Sequence, residues 1–218
     1  MTAQRTAREP LSVLLRAETR ASHRLAEEAP FVRALLRGRI APDVYVRFLR
    51  SLHSVYAEME TALDANRSHP VLSQLDLPEL RRRLPLEDDL RWWGRACAVA
   101  SEPASPATRA YAERIRELAR SSPVRLVGHL YTRYLGDLSG GQLIARALER
   151  AFGLEDGKGV AFYRFGDEAQ RARLKERFRA RLDGLPLDAA TSDLVIAEAS
   201  RAFDHNVRVF DELVPPNG

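Results

Sequence analysis

Apolar residues recur along this chain at three- and four-residue spacing, and strict alternation is almost absent, so the pattern is helical nearly throughout. Pro10 and Ser12 open a first segment whose positions Val13, Leu14, Ala17, Ala21 and Leu25 share a face, and Pro30 ends it. A short helix is expected from there to Gly38. Pro42 then starts a long amphipathic helix through Tyr45, Phe48, Leu49, Leu52, Tyr56, Met59 and Leu63. Shorter helical pieces follow His69-Pro70 and Pro78, and a helix after Pro85 carries Trp92 and Trp93. Residues 101–106 form a loop with two prolines, and helix resumes over 108–120. Ser121-Ser122-Pro123 has the cap-then-proline form of another helix start. After a turn over 153–159, residues 160–165 make one strand-like run, too short for a sheet by itself. Helices over 167–183 and 188–213 close the chain. The expected fold is all-α, a single-domain bundle of about eight helices. Residues 1–9 are a flexible N-terminus, 10–214 the domain and 215–218 a tail.

One helical segment breaks the rule for its own interior. Gly128-His129-Leu130-Tyr131-Thr132-Arg133-Tyr134-Leu135-Gly136-Asp137-Leu138-Ser139-Gly140-Gly141-Gln142 carries Gly136, Gly140 and Gly141. Each interior glycine costs about 1 kcal/mol relative to alanine, so the three weaken a helix by about 3 kcal/mol. A kink or a close helix crossing is one reason to accept that cost. A flat ligand lying against the backbone, where a Cβ would collide, is the other. Gly136 and Gly140 are four apart and point to one face.

Composition narrows the possibilities. A chain of 218 residues, 45% hydrophobic and 29% charged, suits one globular domain. No run approaches the roughly 20 apolar residues of a membrane span, and Met1 to Arg8 lacks an apolar signal core. A cytoplasmic protein without a membrane anchor is expected. The single cysteine, Cys97, excludes an internal disulfide and a cysteine-based metal cluster. Net charge is +4 and the pI is near 9.6. The densest basic run, Arg81-Arg82-Arg83, is followed by Glu87, Asp88 and Asp89, which suits a solvated helix face and not a nucleic-acid stripe.

Several residues could carry chemistry. His23 shares a helical face with Arg16, Thr19, Arg20 and Glu27, at −7, −4, −3 and +4. An imidazole beside two arginines suits haem, whose iron takes an axial nitrogen and whose propionates take cations. The same spacing also describes a surface histidine among surface charges. Lys175 and Arg179, four apart, could clamp an anion or face solvent. Phe203, Asn206 and Phe210 share a face that reads as core, where the amide would need a buried partner. Asp137 could cap a broken helix or hold water near a ligand. His129 reads as a packed or capping residue. The chain has no Gly-x-Ser-x-Gly, no phosphate-binding loop and no Glu-x-x-His pair for a di-iron bundle.

The run Tyr131-Thr132-Arg133-Tyr134-Leu135-Gly136-Asp137-Leu138-Ser139-Gly140-Gly141-Gln142 closely resembles the haem oxygenase motif, and the resemblance extends over roughly residues 10–214. Thr19, Arg20, His23, Ala26 and Glu27 stand where that family's proximal helix has them. Tyr56, residues 159–163, Phe203, Asn206 and Phe210 follow in order. The resemblance implies haem b as both cofactor and substrate, sandwiched between a proximal helix and a glycine-broken distal helix. It implies oxidative opening of the porphyrin by O₂ to biliverdin, carbon monoxide and ferrous iron. Electrons would come from a ferredoxin, a flavodoxin or a reductase. His23 would be the axial iron ligand, tuned by Glu27. Gly136 and Gly140 would cover the distal face, where Asp137 organises water with Tyr56 and Arg133 in support. Arg16, Arg20, Lys175 and Arg179 would hold the propionates. Thr19, Tyr131, Gly141, Phe203, Asn206 and Phe210 would complete the cofactor wall. Arg16 and Arg20 depart from the family's best-known pattern, which has lysine there; the planar guanidinium fork keeps the charge and changes the geometry. A monomer without a nucleic-acid partner is expected. A haem carrier that does not turn over, and an enzyme of the thiaminase-like helical class, are the alternatives.

Overall fold

Prolines open helices where a missing N–H costs nothing, at the first helical position. The computed structural model describes residues 9–97 and 103–213. Its α-helices are α1 (Leu11–Glu18), α2 (Arg20–Glu28), α3 (Pro30–Leu36), α4 (Pro42–Ala65), α5 (Leu72–Leu75) and α6 (Arg83–Ala96). They continue with α7 (Pro106–Ser121), α8 (Leu126–Leu130), α9 (Gly136–Phe152), α10 (Glu168–Asp183) and α11 (Ala189–Asp211). Counting α1–α2 and α8–α9 as single interrupted helices, and setting aside the one-turn α5, leaves the eight that the periodicity implies. The expected flexible residues 1–8, part of the 101–106 loop and residues 214–218 lie outside the described residues.

Two interruptions have local causes. Thr19 turns its hydroxyl back onto the Leu15 carbonyl at 2.6 Å, so the expected single first helix divides there. Between α8 and α9 the backbone widens into a π turn over Tyr131–Leu135 and returns to α-helix at Gly136. The break therefore precedes the glycines. The strand-like run at 160–165 is a 3₁₀ turn, Ala161–Tyr163, and no strand occurs among the described residues. Asp89 reaches from α6 to accept the Ala161 and Phe162 N–H groups at 2.7 and 2.8 Å. That external cap holds the run as a turn; burial raises the Asp89 carboxyl to about 6.

Two long helices organise the core. α4 buries Tyr45, Leu49, Leu52, Tyr56 and Met59 against α6 and α7. α11 packs against α2, α3, α7 and α8. At the α8–α11 crossing, a Cβ on Gly128 would lie 2.7 Å from the Ala199 nitrogen and 2.8 Å from the Val195 carbonyl oxygen. Only glycine permits that backbone contact. No described helix is long and apolar enough to cross a membrane.

Beside the crossing sits a fully buried carboxylate. Glu198 accepts from Arg114 Nε and Nη2 at 2.9 and 2.7 Å, from Arg125 Nη2 at 2.6 Å, and pairs with His129 Nε2 at 3.2 Å. Burial opposes its ionisation, yet the bonds from His129 and Arg114 outweigh it and hold the carboxyl well below its ordinary range. His129 is thus packed, and burial lowers its pKa. His205 stacks on Tyr111 at 4.9 Å, and burial, then the neighbouring His129, push it down to about 4.

The His205 shift fixes a sign. The unfolded ring takes its proton near 6.5 and the folded ring only near 4. Its contribution is therefore present above pH 6.5 and lost as pH falls toward 4. His205→Phe keeps the stacked ring and removes the titration. Denaturant unfolding between pH 7 and 4 should show the loss of stability reduced by on the order of 1–2 kcal/mol in the variant. An unchanged pH slope would remove His205 from the acid response.

Candidate functional site

Two polar clusters meet on one face of α11. Phe203 and Asn206 are three apart, within one helical turn. The His23 ring stands edge-on to Phe203, with centroids 5.4 Å apart at 80°. Arg133 donates from Nη1 to Asn206 Oδ1 at 3.0 Å. One turn of α11 therefore brings α2 and the π turn into register.

The first cluster is open and cationic. The His23 side chain is 50% exposed, and its Nδ1 lies 3.4 Å from Glu27 Oε2, one turn further along α2. No described residue bonds its Nε2. A carboxylate on one ring nitrogen is the arrangement that orients a metal-ligating imidazole through the other. Thr19 is buried beside the Tyr131 hydroxyl, and the Arg16 and Arg179 charges lie near that same hydroxyl. Burial raises the Tyr131 pKa against those three neighbours. Lys175 is half-buried, and its pKa is lowered by burial and then by the Arg179 and Arg171 charges. Among the described residues, none of Arg16, Arg20, Lys175 and Arg179 forms an ion pair. The cluster has cations to spare.

The second cluster is closed. Arg133 is buried in the π turn, and its Nη2 donates to both Asp137 oxygens at 3.0 Å. The Tyr56 hydroxyl, from α4, donates to Asp137 Oδ2. Burial raises the Asp137 carboxyl, while the Arg133 charge and the Tyr56 bond pull against it. Burial likewise works against the Arg133 charge, but Asp137 outweighs it and the guanidinium stays ionised. Tyr56 is driven far upward by burial and by Asp137, so it remains a donor. The Asp137 side chain keeps 14% exposure, an opening for a further polar partner.

The glycines separate by surroundings. A Cβ on Gly136 or Gly140 would meet nothing within 4 Å. No packing contact of the protein explains them, and they leave one face of α9 bare. Gly141 differs: a Cβ there would come within 3.0 Å of the Tyr163 ring, so its smallness serves packing within the protein. Asn206 is fully used, accepting from Arg133 and donating to the Ala202 carbonyl at 2.9 Å. Phe210 packs with Phe31 and Phe48 at 5.7 and 6.0 Å in the core. These three, expected at the cofactor wall, also make contacts within the protein. The Glu198 network escaped the sequence because His129 and its partner are 69 positions apart and share no local pattern.

The residues fit a flat, dianionic, metal-bearing ring. Among the described residues, one imidazole has a free nitrogen, four cations lack carboxylates, and a helix face lacks side chains. No three His, Cys, Asp or Glu side chains gather as a metal-ion set among the described residues. A cleft of about 690 Å³ between α4 and α7, lined by His53, Ala57 and Arg116 among others, gathers none of these groups.

The bare helix face makes a test of its own. With no neighbour to strike, Gly136→Ala and Gly140→Ala should each stabilise the ligand-free protein by about 0.5–1 kcal/mol through helix propensity. Gly141→Ala should destabilise it by forcing Tyr163 aside. Urea unfolding of the three variants decides; a loss of stability at 136 or 140 would mean that packing, not a ligand, requires glycine there.

The heme oxygenase family model matches residues 9–212. Heme oxygenase 1 of Nostoc sp. is 38% identical over 199 residues, covering 91% of this chain and 84% of the relative. The human heme oxygenase 1 is 36% identical over 205 residues, covering 93% of this chain and 71% of the relative. The crystal structure of heme oxygenase-1 from the cyanobacterium Synechocystis, in complex with heme, superposes with a TM-score of 0.87 at 38% identity, covering 94% of this chain and 92% of that one. A match over nearly all of the chain, by sequence and by fold, makes this protein a member of the haem oxygenase family and a haem-degrading oxygenase.

Proposed function

We propose that the chain binds haem b as cofactor and substrate and opens it to biliverdin, carbon monoxide and ferrous iron, using O₂ and electrons from a ferredoxin, flavodoxin or reductase. The observation that carries this reading is the convergence on one turn of α11 of a half-exposed imidazole and a buried Arg133–Asp137–Tyr56 clamp. The Synechocystis relative, solved with heme, supports the choice of ligand. Bound haem supplies the iron that takes up O₂ and the ring that is cut.

The chain's own residues do the rest. His23 offers a neutral nitrogen, and Glu27 orients it; such a ligand pushes less electron density than a thiolate. Gly136 and Gly140 let the α9 backbone approach the ring plane. Asp137 would hold water at the distal side, where that water could donate a hydrogen bond to the bound ligand. The Arg133 charge opposes the upward push of burial on that carboxylate, and the Tyr56 hydroxyl fixes its orientation. Arg16, Arg20, Lys175 and Arg179 take the two propionates, and each buried charge-assisted bond would contribute about 1.5–3 kcal/mol. The net positive charge of the chain favours an acidic electron donor.

Substitutions on the two sides should separate binding from turnover. His23→Ala should abolish biliverdin formation and replace an imidazole-ligated haem spectrum with a weakly ligated one. Asp137→Ala should keep haem affinity within about threefold and lower biliverdin formation by about 10²-fold. Optical titration with haem, then incubation in air with ascorbate, reads both. A wild-type protein whose Soret band survives that incubation is a carrier. An Asp137→Ala protein with normal turnover would leave Asp137 only a structural part.

A further inference from the structure

The first helix lacks a cap of its own. Pro10 occupies the N-cap of α1 and has no side-chain oxygen to give. The orphan N–H of Ser12 instead donates to Asp183 Oδ1 at 2.7 Å, and the Ser12 hydroxyl donates to Asp183 Oδ2 at 2.9 Å. Asp183 is the last residue of α10, 171 positions away. The carboxylate also sits at the positive end of the α1 dipole.

The position of this contact matters more than its strength. Along α10, Arg179 and Lys175 lie four and eight residues before Asp183, on its face. Along the first helix, Arg16 lies four residues after Ser12, and Arg20 begins α2 just beyond the Thr19 break. From the Ser12–Asp183 contact the two helices thus run outward with a cation row on each. Arg16 stands about one turn out against Arg179, and Arg20 and Lys175 each lie one further turn along the chain on their own side. The nearness of both Arg16 and Arg179 to the Tyr131 hydroxyl agrees with that pairing. Without an anion between them the rows repel, and α1 buries only Leu11 and Leu15. A two-bond clasp at one end opposes the spreading.

We infer that Ser12 and Asp183 are positioning residues whose paired hydrogen bonds pin α1 to α10 and set the spacing of the two cation rows. In its ligand arm the inference rests on the propionate seating proposed above; in its structural arm it does not. Losing the pair leaves helix, cations and imidazole intact but lets α1 swing from α10. Haem would then leave faster, with the chemistry at the distal side unaffected.

The test needs a variant that caps α1 without pinning it. Asp183→Ala removes both bonds. Adding Pro10→Asp supplies a local N-cap from within α1 and no link to α10. With Cys97→Ser as background, spin labels at the exposed positions Ala17 and Ala180 report the α1–α10 distance in the ligand-free protein. Asp183→Ala should broaden that distance distribution and raise the haem dissociation rate about three- to tenfold, while turnover of saturated enzyme stays within about twofold. Ser12→Ala, which keeps the backbone bond, should move both readouts less in the same direction. Pro10→Asp with Asp183→Ala should recover neither. An unchanged distance in Asp183→Ala overturns the pin. Recovery of haem retention by the local cap shows that the pair only caps a helix. A broadened distance with unchanged haem retention keeps the pin and overturns the propionate seating.

Discussion

The backbone contact at Gly128 is the constraint on which the rest of this architecture depends. With the α8 backbone against Ala199 and Val195, the next turn has no freedom of register. Thr132 reaches the Ala199 carbonyl at 3.3 Å, and Arg133 reaches Asn206. Asp137, four residues after Arg133, is thereby delivered to Tyr56 on α4. Glu198, adjacent to Ala199, locks the same crossing by gathering Arg114, Arg125 and His129 from three segments. Removing one partner of such a buried set leaves an uncompensated charge, so the crossing tolerates little change. α11 serves as the ruler from which both sides of the site are measured.

How much of this the sequence disclosed depends on whether the cause is local. The His23 face is a helical pattern and could be read directly; the Arg133–Asp137 pair, though one helical turn, entered only through the family resemblance. The link from Asp137 to Tyr56 spans 81 positions, and only the family resemblance suggested it. The glycines differ in what surrounds them. Close contact accounts for Gly128 and Gly141, and an open face for Gly136 and Gly140. Asn206 was seen to need a buried partner; that partner is Arg133, which no spacing rule could supply. The strand-like run and the undivided first helix failed for a related reason. Asp89 and the Thr19 hydroxyl are side-chain oxygens that redirect the backbone, and periodicity registers apolar faces only.

Charge is distributed unequally between the two sides, and the division has physical meaning. On the distal side each formal charge meets its opposite within hydrogen-bonding distance, so the cluster is electrostatically complete before any ligand arrives. A complete cluster gains little from a new ion and can instead orient a neutral molecule such as water. On the other side four cations lack ion-pair partners among the described residues, and burial together with two arginines already depresses Lys175. That side gains most from an anion. Orientation of small polar molecules and capture of an acidic ligand are thus assigned to opposite walls by the same electrostatics.

Rigidity follows the same division. The distal wall is one run from Leu126 to Phe152, anchored by the glycine crossing, the Glu198 network and the Arg133 clamp. The proximal wall is two segments of eight and nine residues, divided at Thr19, neither with a side-chain cap of its own. Helices that short are marginal unless packed, and α2 buries only Ala26. Local opening therefore costs least there. A flat ligand that must lie against a bare helix face cannot enter unless one wall yields. On the proposed reading, the wall carrying Asp137 has to keep its geometry to orient water, whereas the wall carrying long cationic side chains tolerates displacement because those side chains reach. On the proposed reading, the short, weakly capped α1 and α2 beside the capped α10 supply the yielding part of the capturing side, and α9 the locked chemical side.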